Sequence, residues 1–142
     1  MRLTVRKINI ADSRMQELLS HLQKECLPYD EPFDTTAGHW WLAFAADGTA
    51  LGFAGLVRTR RWADCGYLCR AGVVDAAQGF GLQKRLIRAR IAYARRLGWS
   101  WLITDTYENP PSANSLISCG FKTYKPGWPW GADGVIYWRK KL

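Results

Sequence analysis

Long apolar segments and metal-binding patterns are both missing from this sequence of 142 residues. No run of about 18 apolar residues occurs, so no membrane span is expected. The N-terminal segment Met1–Val5 lacks the apolar stretch of a signal peptide, and we therefore expect a cytoplasmic protein. The four cysteines form no Cys-x-x-Cys pair and have no paired histidines, which argues against a metal site and against a disulfide framework.

Acidic residues are scarce relative to basic ones. The chain has 20 Lys and Arg against 12 Asp and Glu, a formal net charge of +8. A basic surface favours anionic partners, and nucleic acid or the phosphates of a coenzyme both fit that description. The basic residues are not interleaved with aromatic ones in a recognisable motif, so nucleic acid is the less favoured partner. The sequence leaves open whether the chain forms a homodimer.

A glycine-rich turn between an apolar run and a long helical pattern is the most informative feature. The pair Val73-Val74 precedes the turn, and residues 82–97 have the periodicity of an amphipathic helix. The first N–H groups of a helix lack intrahelical partners, and the helix dipole adds ~0.3–1 kcal/mol for an anion placed there. Gly79 and Gly81 have no Cβ, so a phosphate can approach the main chain. The alternative is a plain strand-to-helix turn without a ligand.

The spacing of this turn fits neither of two common nucleotide loops. A P-loop needs Gly-x-x-x-x-Gly-Lys-Ser/Thr, and a dinucleotide loop needs a glycine where Lys84 stands. The segment 78–81 resembles instead the Arg/Gln-x-x-Gly-x-Gly/Ala motif of the Gcn5-related N-acetyltransferases, which hold the pyrophosphate of acetyl-coenzyme A there. Gln83 departs from the glycine or alanine usual in that family. Its longer side chain either crowds the pyrophosphate or turns aside.

A second segment resembles the same family. Asn109, Ser112, Leu116 and the pair Gly120-Phe121 read Asn-x-x-Ser-x-x-x-Leu-x-x-x-Gly-Phe, and one helix and one strand separate them from the glycine turn. A helix capped by Asn109 and ended by Gly120 is the alternative interpretation. Two motifs in the family's order make the resemblance much more specific than either motif alone.

The resemblance implies a fold and an activity. We expect one α/β (α+β) domain over residues 1–142, with a mixed, mostly antiparallel, twisted sheet flanked by helices. The strand that ends at Val74 and the strand from Trp101 should be parallel, joined by the helix 82–97. The residues themselves predict another helix from about Asp12 to Cys26, where Ser13 and Gln16 have the spacing of a capping box. The implied activity is acetyl transfer from acetyl-coenzyme A, by direct attack on the thioester, to an amine of a small molecule or of a protein. The implied coenzyme contacts are Val73, Val74, Gln78, Gly79, Phe80, Gly81, Leu82, Gln83, Asn109 and Ser112.

The catalytic groups are less clear from the resemblance. A backbone N–H near Val73 or Val74 is expected to donate to the thioester oxygen. Many relatives have a tyrosine as general acid four residues before the Gly-Phe pair, where this chain has Leu116. Tyr107, Ser112 and Tyr124 lie in or near the second motif, and Tyr124 is our candidate for the catalytic residue.

The acceptor side is predicted from two loops. Asp30 and Glu31 form an acidic pair, and Trp130 lies on a proline-stiffened loop. Aromatic faces attract cations, so these residues suggest an acceptor with a second positive charge. Two other functions stay open: a catalytically silent acyl-coenzyme A sensor, because of Gln83 and Leu116, and a small basic nucleic-acid-binding protein.

Overall fold

One seven-stranded sheet, three α-helices and a 3₁₀ helix (Asp75–Ala77) account for the regular structure in residues 2–31 and 33–142, which the computed structural model describes. Met1, and Pro32 of the acidic loop, lie outside the described residues. The elements are β1 (Leu3–Lys7), α1 (Ser13–Cys26), β2 (His39–Ala45), β3 (Ala50–Thr59), β4 (Cys65–Val73), α2 (Leu82–Arg96), β5 (Trp101–Thr106), α3 (Pro110–Ser118), β6 (Lys122–Tyr124) and β7 (Ile136–Lys141).

The strand order is β1-β2-β3-β4-β5-β7-β6, and every neighbouring pair is antiparallel except β4 and β5. A parallel pair needs a crossover connection, and α2 provides it. The mixed, mostly antiparallel sheet and the parallel pair predicted from the sequence are confirmed.

Helices cover both faces of the sheet, because neighbouring residues of a strand point to opposite sides. In β2, Trp40 and Leu42 are buried against α1, in a cluster with Leu19 and Leu22 of that helix. The residues between and after them belong to a second cluster that contains the buried face of α2. The apolar run of β2 is therefore a strand buried on both sides.

The parallel strands β4 and β5 separate soon after they pair. Their register joins only residues 65–67 to residues 101–103. On its other edge β4 carries a bulge, since Gly55 of β3 faces both Cys69 and Arg70. A bulge adds one residue to a strand and bends it. The two strand ends therefore leave a gap between them, and the candidate site lies at this gap.

Helix α1 begins differently from the sequence prediction. The spacing of Ser13 and Gln16 predicted a capping box, but the N-cap is Asp12, whose Oδ1 accepts from the N–H of Arg14 at 2.9 Å. Gln16 instead donates through Nε2 to the carbonyl oxygens of Ile10 and Thr35. The capping-box prediction is wrong because Gln16 ties the segment after β1 to the loop before β2.

No helix in the described part of the chain is both long enough and apolar enough to span a membrane.

Candidate active site

The glycine turn has the backbone conformation that its sequence predicts. Gly79 and Gly81 have φ angles of +85° and +73°, in the left-handed region that favours glycine. Gly81 is the N-cap of α2 and supplies no side-chain cap. A Cβ built on either glycine would meet no protein atom within 4 Å. The space before the turn is therefore open.

The N–H groups of this turn are free to bind a ligand. In the described part of the chain, no backbone or side-chain acceptor meets the N–H groups of residues 79–84. Lys84 also borders the open space. Arg85, the next residue of α2, points away, since its Nη1 donates to the carbonyl oxygen of Leu3 in β1 at 2.9 Å. Free amides at a helix start with a neighbouring ammonium group suit a phosphate.

A cavity of about 640 Å³ lies in front of the turn, between β4, α2 and α3. We call it the loop cavity. Eight of the ten predicted coenzyme contacts line it: Val73, Gln78, Gly79, Gly81, Leu82, Gln83, Asn109 and Ser112.

The other two predicted contacts, Val74 and Phe80, do not line the loop cavity. Phe80 is half exposed at the tip of the turn. The N–H of Val74 already donates to the carbonyl oxygen of Leu51 in β3, at 2.9 Å. Val74 therefore has no free N–H for a thioester oxygen, which corrects the sequence prediction for this residue.

Strand geometry shows which backbone groups face the gap. Because Val74 bonds to β3, and Val73 pairs with Gly52 in the next register position, the N–H of Val73 points to the other edge of β4. The carbonyl oxygen of Val73 confirms this direction, since it accepts from Gln78 Nε2 at 3.3 Å. The same alternation turns the N–H of Ala71 toward the gap.

Gln83 turns aside and does not lie across the free amides. Its Nε2 donates to Ser112 Oγ at 3.0 Å. Ser112 also donates its backbone N–H to Asn109 Oδ1, the N-cap of α3, at 3.2 Å. The residue that departs from the family motif therefore joins α2 to α3 at the rim of the loop cavity.

A second cavity, of about 380 Å³, fills the opening between the ends of β4 and β5. We call it the gap cavity. The two cavities are adjacent, because five residues line both: Leu27, Ala71, Gln83, Asn109 and Ser112.

A carboxylate with two donors lies in the gap cavity. Asp105, near the end of β5, accepts through Oδ2 from the Tyr67 hydroxyl at 2.7 Å and from Trp130 Nε1 at 2.8 Å. Burial, and then the bond to Asp105, raise the pKa of Tyr67 well above its ordinary value. The phenol stays protonated and donates. The sequence analysis missed Tyr67 and Asp105, because the strand pairing that joins them spans 38 residues.

A buried arginine also borders the gap cavity. Arg90 of α2 is 3% exposed, and it donates to the carbonyl oxygens of Leu86 and Gly55, each at 3.1 Å. Burial lowers the pKa of its guanidinium to about 10, so the group is charged at neutral pH. Arg90 thus binds the β3 residue opposite the bulge and places a positive charge at the gap.

The predicted acceptor residues do not all meet at this site. Asp30 lines the gap cavity and pairs with Arg70 Nη1 at 3.3 Å. Glu31 is exposed and lines neither cavity. Trp130 binds Asp105 at its ring edge, but the Arg61 guanidinium already covers a ring face, 4.3 Å from the centroid.

Tyr124, the predicted catalytic residue, lies apart from both cavities. It stands on β6 in an aromatic cluster with Trp62, and Arg139 lies 4.9 Å from its ring centroid. The structure does not support Tyr124 as the general acid, because its hydroxyl borders neither the loop cavity nor the gap. Leu116, at the family's tyrosine position, lines the gap cavity without a hydroxyl, whereas Tyr107 lines it and is 57% exposed.

Known structures share this fold. An IAA acetyltransferase from Bacillus cereus is 18% identical, with 99% of this chain and 100% of that chain covered and a TM-score of 0.78. A Bacillus subtilis acetyltransferase in complex with CoA is 18% identical, with 99% of each chain covered and a TM-score of 0.76. A Salmonella typhimurium protein solved with its cofactor acetyl-CoA is 20% identical, with 100% and 95% covered and a TM-score of 0.73.

Sequence comparison gives the family. No curated protein matches the chain. The profile described as the acetyltransferase (GNAT) family matches residues 8–121. Those residues include the glycine turn, the bulged β4, the strand β5 and the capped helix α3. The chain belongs to the acetyltransferase (GNAT) family.

Proposed function

We propose that the protein binds acetyl-coenzyme A in the loop cavity and transfers its acetyl group to an amine that enters through the gap cavity. The observation that carries this proposal is that the two cavities share a wall at the point where β4 and β5 separate. Direct transfer needs the donor and the acceptor side by side, because orienting two reactants removes much of the entropic barrier. Two similar structures that hold CoA or acetyl-CoA support the choice of donor.

The hydrogen-bond donors that line the loop cavity suit the phosphates of the coenzyme. The free N–H groups of residues 79–84 and the ammonium group of Lys84 would hold the pyrophosphate. The backbone groups of Val73 and Ala71, which face the gap, would hold the pantetheine arm and donate to the thioester oxygen. A donor aimed at a developing oxyanion contributes about 2.7–4 kcal/mol to catalysis.

Asp105 is our candidate for the group that handles the acceptor. Its carboxylate faces the gap cavity and is oriented by the two donors on Oδ2. Oδ1 accepts no hydrogen bond from the described residues, so it remains for the amine. We assign to Asp105 the orientation of the amine and the acceptance of its proton as the nitrogen bonds to the acetyl carbon. The acetyl C–S bond then breaks, and coenzyme A leaves as a thiolate that takes a proton from solvent. The charge of Arg90 stabilises negative charge that develops in the gap.

The test is direct transfer to a panel of amines that carry anionic, neutral or cationic tails. After incubation with acetyl-coenzyme A, mass spectrometry should detect an acetylated amine, and coenzyme consumption should depend on that amine. If the coenzyme binds but no member of the panel is acetylated, the protein is a sensor and not a transferase. The cytoplasmic location expected from the sequence stays a prediction.

A matched pair of glycine variants tests the coenzyme site by itself. Gly81→Val places a side chain before the free amides, and calorimetry should show weaker acetyl-coenzyme A binding. Gly48→Val is the control, since Gly48 has a φ of +89° in the β2–β3 hairpin and equally open surroundings. Both substitutions strain the backbone by roughly 1–3 kcal/mol. Equal coenzyme affinity in the two folded variants would place the coenzyme elsewhere.

A further inference from the structure

A third cavity, of about 320 Å³, lies at the edge of the sheet formed by β6 and β7. We call it the edge pocket. Three cations line it, Arg61, Lys125 and Arg139, and no aspartate or glutamate is among its described lining residues. Its walls are aromatic: Trp62, Tyr124, Trp128 and Trp130. A pocket with cations and flat walls but no acid is built to take an anion.

Arg139 is fixed by rings and not by carboxylates. Its guanidinium carbon lies 4.9 Å from the ring centroid of Tyr124 and 5.6 Å from those of Trp62 and Trp101. No described carboxylate lies within salt-bridge distance of it. Contact with ring faces orients a guanidinium while leaving its in-plane N–H groups available. Those N–H groups can donate to a ligand carboxylate.

Arg61 is oriented in the same way from the opposite loop. It lies over the Trp130 ring at 4.3 Å, and its Nη1 donates to the carbonyl oxygen of Trp128 at 3.0 Å. This contact joins the turn after β3 to the loop between β6 and β7. The Trp128 ring itself is 85% exposed, an unusual state for so large an apolar group. It offers a free face to a flat ligand.

The edge pocket and the gap cavity share no described lining residue, but the Trp130 indole lies between them. Trp130 carries the Arg61 guanidinium on its face and donates through Nε1 to Asp105 in the gap cavity. A negative and a positive group therefore lie on two sides of the same ring. The Arg61 guanidinium repels a cationic group from this ring face. The edge pocket therefore does not suit the second positive charge that the sequence suggested for the acceptor. An acceptor that reaches both cavities needs an amine at one end and an anion at the other.

We propose that the edge pocket is an anion subsite, and that the preferred acceptor is an amine that carries a carboxylate on a flat unsaturated body. The amine lies at Asp105, the flat body lies against the exposed face of Trp128, and the carboxylate accepts from Arg61 and Arg139. This inference rests on the proposed transferase function. It names the class of acceptor, which the family match alone does not specify.

Two probes that differ only in charge test the inference. One is 4-(2-aminoethyl)benzoate and the other is its neutral carboxamide. We expect kcat/KM for the benzoate to exceed that for the carboxamide by about tenfold, the value of one good charge-assisted hydrogen bond. Arg139→Gln and Arg61→Gln should each bring the ratio close to one. Arg60→Gln is the control, since Arg60 lies exposed in the same turn, outside the pocket lining, and loses the same charge.

A binding measurement separates this inference from the transferase proposal. We expect 4-ethylbenzoate, which cannot be acetylated, to quench tryptophan fluorescence, with a Kd that rises in Arg139→Gln but not in Arg60→Gln. If neither amine is acetylated but this pattern holds, the subsite stands and the transferase proposal fails. Equal kcat/KM for the two probes in the wild type, or equal Kd in folded Arg139→Gln, Arg61→Gln and Arg60→Gln, overturns the subsite. Binding of a single-stranded oligonucleotide that needs Arg61 and Arg139, without discrimination between the probes, also overturns it and points to nucleic acid.

Discussion

At the scale of single residues, the proposed transfer depends on Asp105. Its Oδ2 already accepts from Tyr67 and Trp130, so the carboxylate is held in one orientation at the side of the gap cavity. A carboxylate that is already oriented loses less conformational entropy when a substrate binds. It also means that Asp105 can be changed to asparagine without loss of the two bonds, since an amide oxygen accepts both.

The first prediction concerns that substitution. Asp105→Asn should lower kcat by at least about 10²-fold, because the amide keeps the geometry but cannot take a proton from the amine. Steady-state kinetics with a saturating acceptor measure the effect. Circular dichroism should show an unchanged fold, and calorimetry should show unchanged affinity for acetyl-coenzyme A.

Asp133→Asn is the matched control, because Asp133 is exposed in the loop between β6 and β7 and lines neither the loop cavity nor the gap cavity. It should leave kcat unaltered. A wild-type kcat in Asp105→Asn would remove Asp105 from the mechanism and leave solvent as the proton acceptor.

The site residues that could not be predicted from the sequence share one property. Each contacts a partner that lies far away along the chain. Tyr67 meets Asp105 across 38 positions, and Arg90 meets Gly55 across 35. In the sequence Arg90 is one more cation on a basic helix. It is buried because the bulge of β4 lies opposite Gly55, and no local pattern reveals a bulge.

At the scale of elements, local sequence patterns were enough to predict where α2 and α3 begin. The glycine turn and the helix α2 follow from the positions of Gly79 and Gly81 and from the helical periodicity of the next residues. Asn109 caps α3 as its residue type predicts. The side-chain conformation of Gln83 could not be predicted, since a side chain of that length has many rotamers. Its hydrogen bond to Ser112 stabilises one of them.

The cap of α1 gives a prediction at this scale. Asp12→Ala should destabilise the protein by about 0.5–2 kcal/mol, because the first N–H groups of the helix lose their acceptor. Ser13→Ala, one residue later, should change stability by much less, since Ser13 provides no cap. Urea unfolding of both variants measures the difference. If Ser13→Ala lowered stability more than Asp12→Ala, Ser13 would be the cap, as the capping-box spacing suggested.

At the scale of the whole molecule, charge is arranged unevenly. Among the described residues, the edge pocket lining has three cations and no acid, whereas the gap cavity has Asp30 and Asp105 beside its two arginines. A net charge of +8 read from composition alone cannot show this arrangement. Composition suggested nucleic acid as one anionic partner, whereas the structure gathers three of the cations in one pocket.

A cluster of cations at the opposite edge of the sheet makes stability depend on pH. His39 of β2 packs against Tyr93, with ring centroids 4.7 Å apart, and also against Trp99. Lys7 and Arg96 lie over the same Tyr93 ring, at 4.9 and 5.4 Å. Burial first, and then the charge of Lys7, lower the pKa of His39 below its ordinary 6.5. A protonated His39 would add a third cation to one aromatic ring.

The sign of the effect follows from proton binding. Between the lowered pKa of folded His39 and about 6.5, the unfolded chain binds more protons than the folded one, so stability rises with pH. The contribution of neutral His39 is present above pH 6.5 and is lost as pH falls through the folded pKa. His39→Gln should therefore flatten the fall in unfolding free energy between pH 7 and 5, measured by urea titration at each pH. His21→Gln, on the exposed face of α1, should keep the wild-type slope. If His39→Gln also kept that slope, the acid sensitivity would come from other groups, and the packing of His39 between cations would have no consequence for stability.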